Sequence, residues 1–149
     1  MANYKKASVV VLANATGTQT LTNGGSGTKL LWTEVADQTN YATETTHFTN
    51  NTFTAPYAGF YQIAVSLYFG SSVTVSAGFI TLIKNSNLAG GIILTQGMGF
   101  IGAVQNASRV FKLAKGDTIS VYAAQTSGTD QTPDATNSVL SIVRLSNAS

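Results

Sequence analysis

Cysteine is absent from the 149 residues, so neither a disulfide framework nor a cysteine-based zinc or redox site can form. Histidine occurs once, as His47 in a polar lead-in before Phe48, which excludes a multi-histidine metal centre and leaves any Ser-His-acid triad resting on that residue. Charge is also scarce. Eight Lys and Arg against six Asp and Glu make 9% of the chain, where about 25% is usual for a globular domain. The cations are scattered at Lys5, Lys6, Lys29, Lys84, Arg109, Lys112, Lys115 and Arg144, so no phosphate-tracking patch forms and nucleic acid is not an expected partner. Met1 to Lys6 is not followed by an apolar stretch of useful length, and no cleavable secretion signal is expected. The longest apolar tract, Gly90 to Ala103, is broken by five glycines and is too short to span a bilayer, so no membrane insertion is expected.

Hydroxyl and amide side chains take the place of charge. Twenty-one Thr, fourteen Ser, eleven Asn and fourteen Gly favour strands and tight turns over helices. The length suits a single domain with its own core. A nearly uncharged, hydroxyl-rich surface is common on extracellular and virion-surface β-proteins.

Strands are predicted at Val9 to Leu12, Leu30 to Val35, Val73 to Lys84, Ile92 to Leu94, Arg109 to Leu113, Thr118 to Ala124 and Val139 to Leu145. Asn14 to Thr28 and Gln125 to Asn137 are read as long polar surface loops. The most informative stretch is Phe53 to Phe69, a turn running into a long strand. Tyr61, Ile63, Val65, Leu67 and Phe69 alternate as one apolar face over a core. The opposite face, Phe60, Gln62, Ala64, Ser66 and Tyr68, carries no charge, whereas a solvated strand face normally does. Something is therefore expected to cover both sides. The pattern as a whole is all-β, a jelly-roll β-sandwich of two antiparallel sheets.

Three motifs, in order, resemble the C1q and tumour necrosis factor superfamily of trimeric jelly rolls. Phe53-Thr54-Ala55-Pro56 with Gly59-Phe60-Tyr61 is similar to its Phe-x-x-Pro-x-x-Gly-x-Tyr lead-in to a central strand. Leu82-Ile83-Lys84-Asn85-Ser86 resembles its Leu-x-Lys-Asn-Gly strand end, and Leu113-Ala114-Lys115-Gly116-Asp117 its Leu-x-x-Gly-Asp hairpin. The resemblance spans Leu30 to Leu145. It implies a C1q-like domain over residues 30–149, preceded at 1–29 by an N-terminal strand and polar loop that would serve for attachment. It also implies a homotrimer, with Phe60, Gln62, Ala64, Tyr68, Asn106, Val139 and Val143 meeting symmetry mates while Tyr61, Ile63 and Val65 stay in the core. A collagen-like Gly-X-Y stalk, present in many relatives, is missing from the sequence.

The remaining motifs favour structural readings. Gly97-Met98-Gly99-Phe100-Ile101-Gly102 is a G-x-G-x-x-G, and Val104, Ala107 and Phe111 can be read as a helical stripe after it. Without further βαβ units, a glycine-rich loop or bulged strand is expected instead, and its small residues would let protomers pack closely at a trimer apex. Asp130 and Asp134 form a close acidic pair within one loop. Relatives that bind Ca²⁺ through loop carboxylates make this pair the place to look, but a third acidic ligand is not near and a solvated loop without a cofactor is expected. The four N-x-[ST] sequons, at Asn14, Asn50, Asn106 and Asn147, are expected to be incidental.

These readings converge on a non-enzymatic homotrimeric surface module. An exterior-type surface without a signal is expected on a virion, as a bacteriophage head fibre, decoration protein or receptor-binding fibre tip. Its partners would be its own copies, other virion proteins, and a cell-surface glycan or protein receptor. The alternative is a secreted or cell-surface ligand-binding module cut from a longer precursor.

Overall fold

A computed structural model describes residues 9–34, 47–70, 74–87, 91–101 and 104–147. Eleven strands are named within them: β1 (Val9–Ala15), β2 (Thr28–Lys29), β3 (Trp32–Glu34), β4 (Phe48–Thr49), β5 (Thr52–Thr54), β6 (Gly59–Tyr68), β7 (Thr74–Lys84), β8 (Ile92–Ile101), β9 (Val104–Leu113), β10 (Thr118–Thr126) and β11 (Val139–Asn147). The first sheet has the order β3-β1-β11-β6-β9. The second has the order β4-β5-β10-β7-β8, with β2 also paired to β10. The paired strands of both sheets run antiparallel.

Alternation explains how the sheets stack. Along β6, Tyr61, Ile63, Val65 and Leu67 are buried and their neighbours are not, so one face turns inward as its period of two requires. Leu140 and Ile142 of β11 and Val11, Ala13 and Ala15 of β1 complete the inner face of that sheet. Ile80 and Leu82 of β7 and Ile119, Val121 and Ala123 of β10 oppose them from the other sheet. The rings of Phe53 and Tyr61 join the two layers, with centroids 5.7 Å apart and a 58° tilt, at the separation typical of aromatic pairs. The Tyr61 hydroxyl donates to the Tyr57 carbonyl at 2.7 Å, which satisfies its one polar atom. Burial raises the Tyr61 pKa above the ordinary tyrosine value, more than this bond and the nearby Arg144 charge lower it.

The last strand in sequence is the middle strand of the first sheet, with β11 lying between β1 and β6. β1 lies in turn between β11 and β3. Residues 9–29 therefore form part of the sandwich.

Two expectations are corrected by the structure, and the choice left open at the glycine-rich motif is decided. Leu30 to Val35 is not one strand: β2 pairs with the second sheet, the chain crosses over at residues 30–31, and β3 joins the first. Leu30 is fully buried with its N–H on the Val121 carbonyl, whereas Leu31 is 40% exposed. Of the loop and the bulged strand expected for the glycine-rich motif, the structure has the strand: Gly97 to Ile101 lies within β8, paired to β7 across a bulge between Val75 and Gly78. Val104, Ala107 and Phe111 lie on a strand, β9, so the helical stripe set aside above does not form. Finally, the two long polar loops are not free excursions. Leu21 is fully buried, and Leu21 and Gln131 exchange backbone hydrogen bonds of 2.7 and 3.0 Å. The buried Gln125 donates to the Leu21 and Thr129 carbonyls at 3.0 Å each and accepts from Ser127 N–H at 2.8 Å, which ties both loops to the end of β10. Val35, Val73, Gly102 and the Lys5-Lys6 tail lie outside the described residues.

Gly59 marks a close approach between β6 and β11. A Cβ there would overlap the Ser146 carbonyl oxygen and stand 2.8 Å from Arg144 Nε. Gly59→Ala is expected to lower unfolding free energy by about 2–3 kcal/mol, because the obstacle is backbone and cannot rotate away. An unchanged midpoint in chemical denaturation would show that β6 and β11 can separate freely at this end.

Candidate assembly face

The three motifs meet at one place. Asp117, after the Gly116 turn, accepts from Ala114 N–H at 2.7 Å and from Asn85 Nδ2 at 3.0 Å, and pairs with Lys84 Nζ at 2.6 Å. Asn85 closes the link by exchanging bonds with Thr118, accepting its N–H at 2.8 Å and donating to its carbonyl at 2.9 Å. Ala55, from the first motif, exchanges backbone bonds with Asp117 and Gly116 at 2.8 Å each. Asn85 and Ser86 have φ of 55° and 53° and Gly116 has 88°, so the turn residues supply the left-handed backbone that the clasp needs. Burial pushes the Asp117 carboxyl pKa up, but the bonds from Lys84, Asn85 and Ala114 outweigh it and hold the group below the ordinary carboxylate value. The Asp117 side chain is 12% exposed. This cluster is structural, with its polar atoms turned on one another, and it fixes the end of β6 that begins the candidate face.

That face is the outward side of the first sheet. Strand register places its residues in rows: Lys112, Phe60 and Ser146; then Val110, Gln62 and Val143; then Ser108, Ala64, Ser141 and Leu12; then Asn106, Ser66, Val139 and Asn14. Tyr68 follows at the far end of β6. All seven residues expected to meet symmetry mates, Phe60, Gln62, Ala64, Tyr68, Asn106, Val139 and Val143, lie on this single face, opposite the core. Phe60 is 38% exposed, Val110 47%, and Leu145, at a bulge in β11, 45%. Lys112 is the one charged residue in these rows, and its ammonium stands 6.0 Å from the centroid of the Phe60 ring.

Val110, Ser108 and Leu12 escaped the sequence reading. The signal for Val110 was present, since it lies four residues from Asn106 and an even spacing keeps both on one side of a strand.

The other candidates do not gather into a catalytic group. Asp130 Oδ1 accepts Asn23 N–H at 2.8 Å, and Asp134 Oδ1 accepts Thr136 N–H, Asn137 N–H and Asn137 Nδ2 at 2.8 to 3.0 Å, so Asp130 ties the two loops together and Asp134 serves its own loop. No group of three or more His, Asp or Glu that could hold a metal occurs among the described residues. His47 is half-buried immediately before β4. Among the described residues no helix is long and apolar enough to cross a membrane.

No known family profile and no curated protein matches the sequence. Solved structures do match its fold. A TNF from S. frugiperda, Eiger, superposes with a TM-score of 0.65 over 97% of this chain and 96% of its own, at 13% identity. Murine APRIL superposes with TM-scores of 0.63 at pH 8.5 and 0.62 at pH 5.0, each over 91% of this chain and 98% of its own, at 12% identity. With two antiparallel sheets, three motif segments clasped at one end and full-length superposition on these structures, the chain is a jelly roll of the TNF/C1q-like type.

Proposed function

We propose that the protein is a non-enzymatic module that assembles as a homotrimer through the outward face of its first sheet. The observation that carries this reading is that face itself. It is built on the central strands, it has Lys112 as its only charge in the rows described, and it leaves Phe60 and Val110 in water in a single copy. Burying an aromatic side chain is worth about 2 kcal/mol, so three copies each of Phe60 and Tyr68 would contribute on the order of ten. The TNF-type fold supports the same arrangement. Mass measurement in solution tests it: a particle three times the 15.5 kDa chain mass is expected, and a monomer overturns it.

Within that assembly we place the chain on a virion surface, as a head fibre, decoration protein or receptor-binding fibre tip. The support is compositional: hydroxyls and amides take the place of charge, and threefold display turns weak contacts with a glycan or protein receptor into useful avidity. The fold likeness to TNF-type proteins favours a second reading, a secreted or cell-surface ligand-binding module. Fractionation of the source separates the two, since the protein sediments with particles in the first case and stays in the clarified medium in the second.

A further inference from the structure

We propose that Asn23 is a gated deamidation site whose conversion unlocks the two loops at one end of the sandwich. Asn23-Gly24 is the only Asn-Gly pair in the chain, and Gly24 offers no side chain to hinder attack by its own backbone nitrogen. In the reaction that nitrogen loses its proton and bonds to the Asn23 side-chain carbonyl carbon, the C–Nδ2 bond breaks, and ammonia leaves. Water then opens the five-membered imide at either carbonyl to give aspartate or isoaspartate. The net change is addition of one water and loss of one ammonia, with no redox step.

The structure supplies both the gate and the consequence. Gly24 N–H, the attacking group, donates to the Gln125 carbonyl at 2.9 Å, and Asn23 Oδ1 accepts Gly128 N–H at 2.9 Å. Asn23 N–H is held by Asp130 Oδ1 at 2.8 Å. The attacking nitrogen and the side chain it must reach are thus fixed by bonds to a second loop, and the imide cannot close until residues 22–24 leave residues 125–130. Asn23 is nevertheless exposed at the surface, so only this local set of bonds needs to open. Once formed, an aspartate at 23 would sit beside Asp130, and an isoaspartate would lengthen the backbone between Leu21 and Gly24. Either product disfavours return to the docked state, in the first case through like charges at close range. The Leu21 and Gln131 exchange is the pairing they would release.

The test follows the intact chain at pH 8 by peptide mass mapping, with the same chain unfolded in urea as reference. Conversion at Asn23 in the folded protein is expected to be slower by about tenfold or more, reflecting the small open fraction. Asp130→Ala, an exposed substitution checked for folding by circular dichroism, is expected to speed it severalfold. Equal rates in folded and unfolded chains overturn the gate, as does an Asp130→Ala rate identical to that of the parent. Aged protein, and separately Asn23→Asp, should exchange the Leu21 and Gln131 amide hydrogens faster than fresh protein. Unchanged exchange in both overturns the unlocking.

Discussion

Ala64→Lys is expected to abolish the proposed trimer, giving a folded species of one chain mass. Ala64 sits at the middle of the outward face, flanked by Ser108 and Ser141 in its row, and its side chain points away from the core that Ile63 and Val65 fill. A longer side chain there costs the single copy little, because it extends into water. Around a threefold axis the same substitution brings three ammonium groups together without an acid in the neighbouring rows. An unpaired buried charge costs about 3–5 kcal/mol, and three of them match or exceed the on the order of ten kcal/mol gained from the aromatic side chains. Sedimentation or light scattering reads the outcome directly. A variant that remains trimeric would mean that a different surface holds the copies together. Should the variant also lose its fold, Phe60→Ala offers the milder measurement, with dissociation shifting to higher protein concentration.

Asp117→Ala is expected to cost about 3 kcal/mol of stability, from loss of charge-assisted hydrogen bonds and of the Lys84 pair. It removes the acceptor for Ala114 N–H and Asn85 Nδ2 together and leaves Lys84 without its partner. The same group sets an acid limit. Its folded pKa lies below the unfolded value, so its stabilisation is complete above about pH 4 and is lost as pH falls through the folded pKa. Denaturant titrations from pH 7 down to pH 2 should show the parent losing stability on the acid side and the alanine variant losing less. Parallel pH profiles would remove Asp117 from the account of acid sensitivity.

Much of this architecture can be read from residue order, because the clearest signals come from segments where a single rule governs. The alternation from Tyr61 to Phe69 cannot be a helix without scattering its apolar face, and the three turn motifs carry residues that only their backbone conformations require. The signals fail where two rules coincide. Ala107 and Phe111 are four apart, a spacing that puts two side chains together on a helix and equally on a strand, so pairing with β6 has to decide. Leu30 and Leu31 look alike in sequence, but the chain changes sheets between them and no local pattern marks the crossing. Leu21 is the instructive omission. It is the one large apolar residue between Asn14 and Thr28, and a lone leucine in a polar run is the anchor of a docked loop. The face itself was visible as an absence of charge, although its edge on β9 became clear only from the register.

The position of β11 bears on how the chain is made. Its partners β1 and β6 are synthesised long before it, yet neither can complete its hydrogen bonding until residues 139–147 arrive between them. Until β11 emerges, the nascent chain must therefore carry an open sheet with two unpaired edges. Truncation within β11 would leave a gap at the centre of the sandwich, where a neighbouring chain's strand could enter.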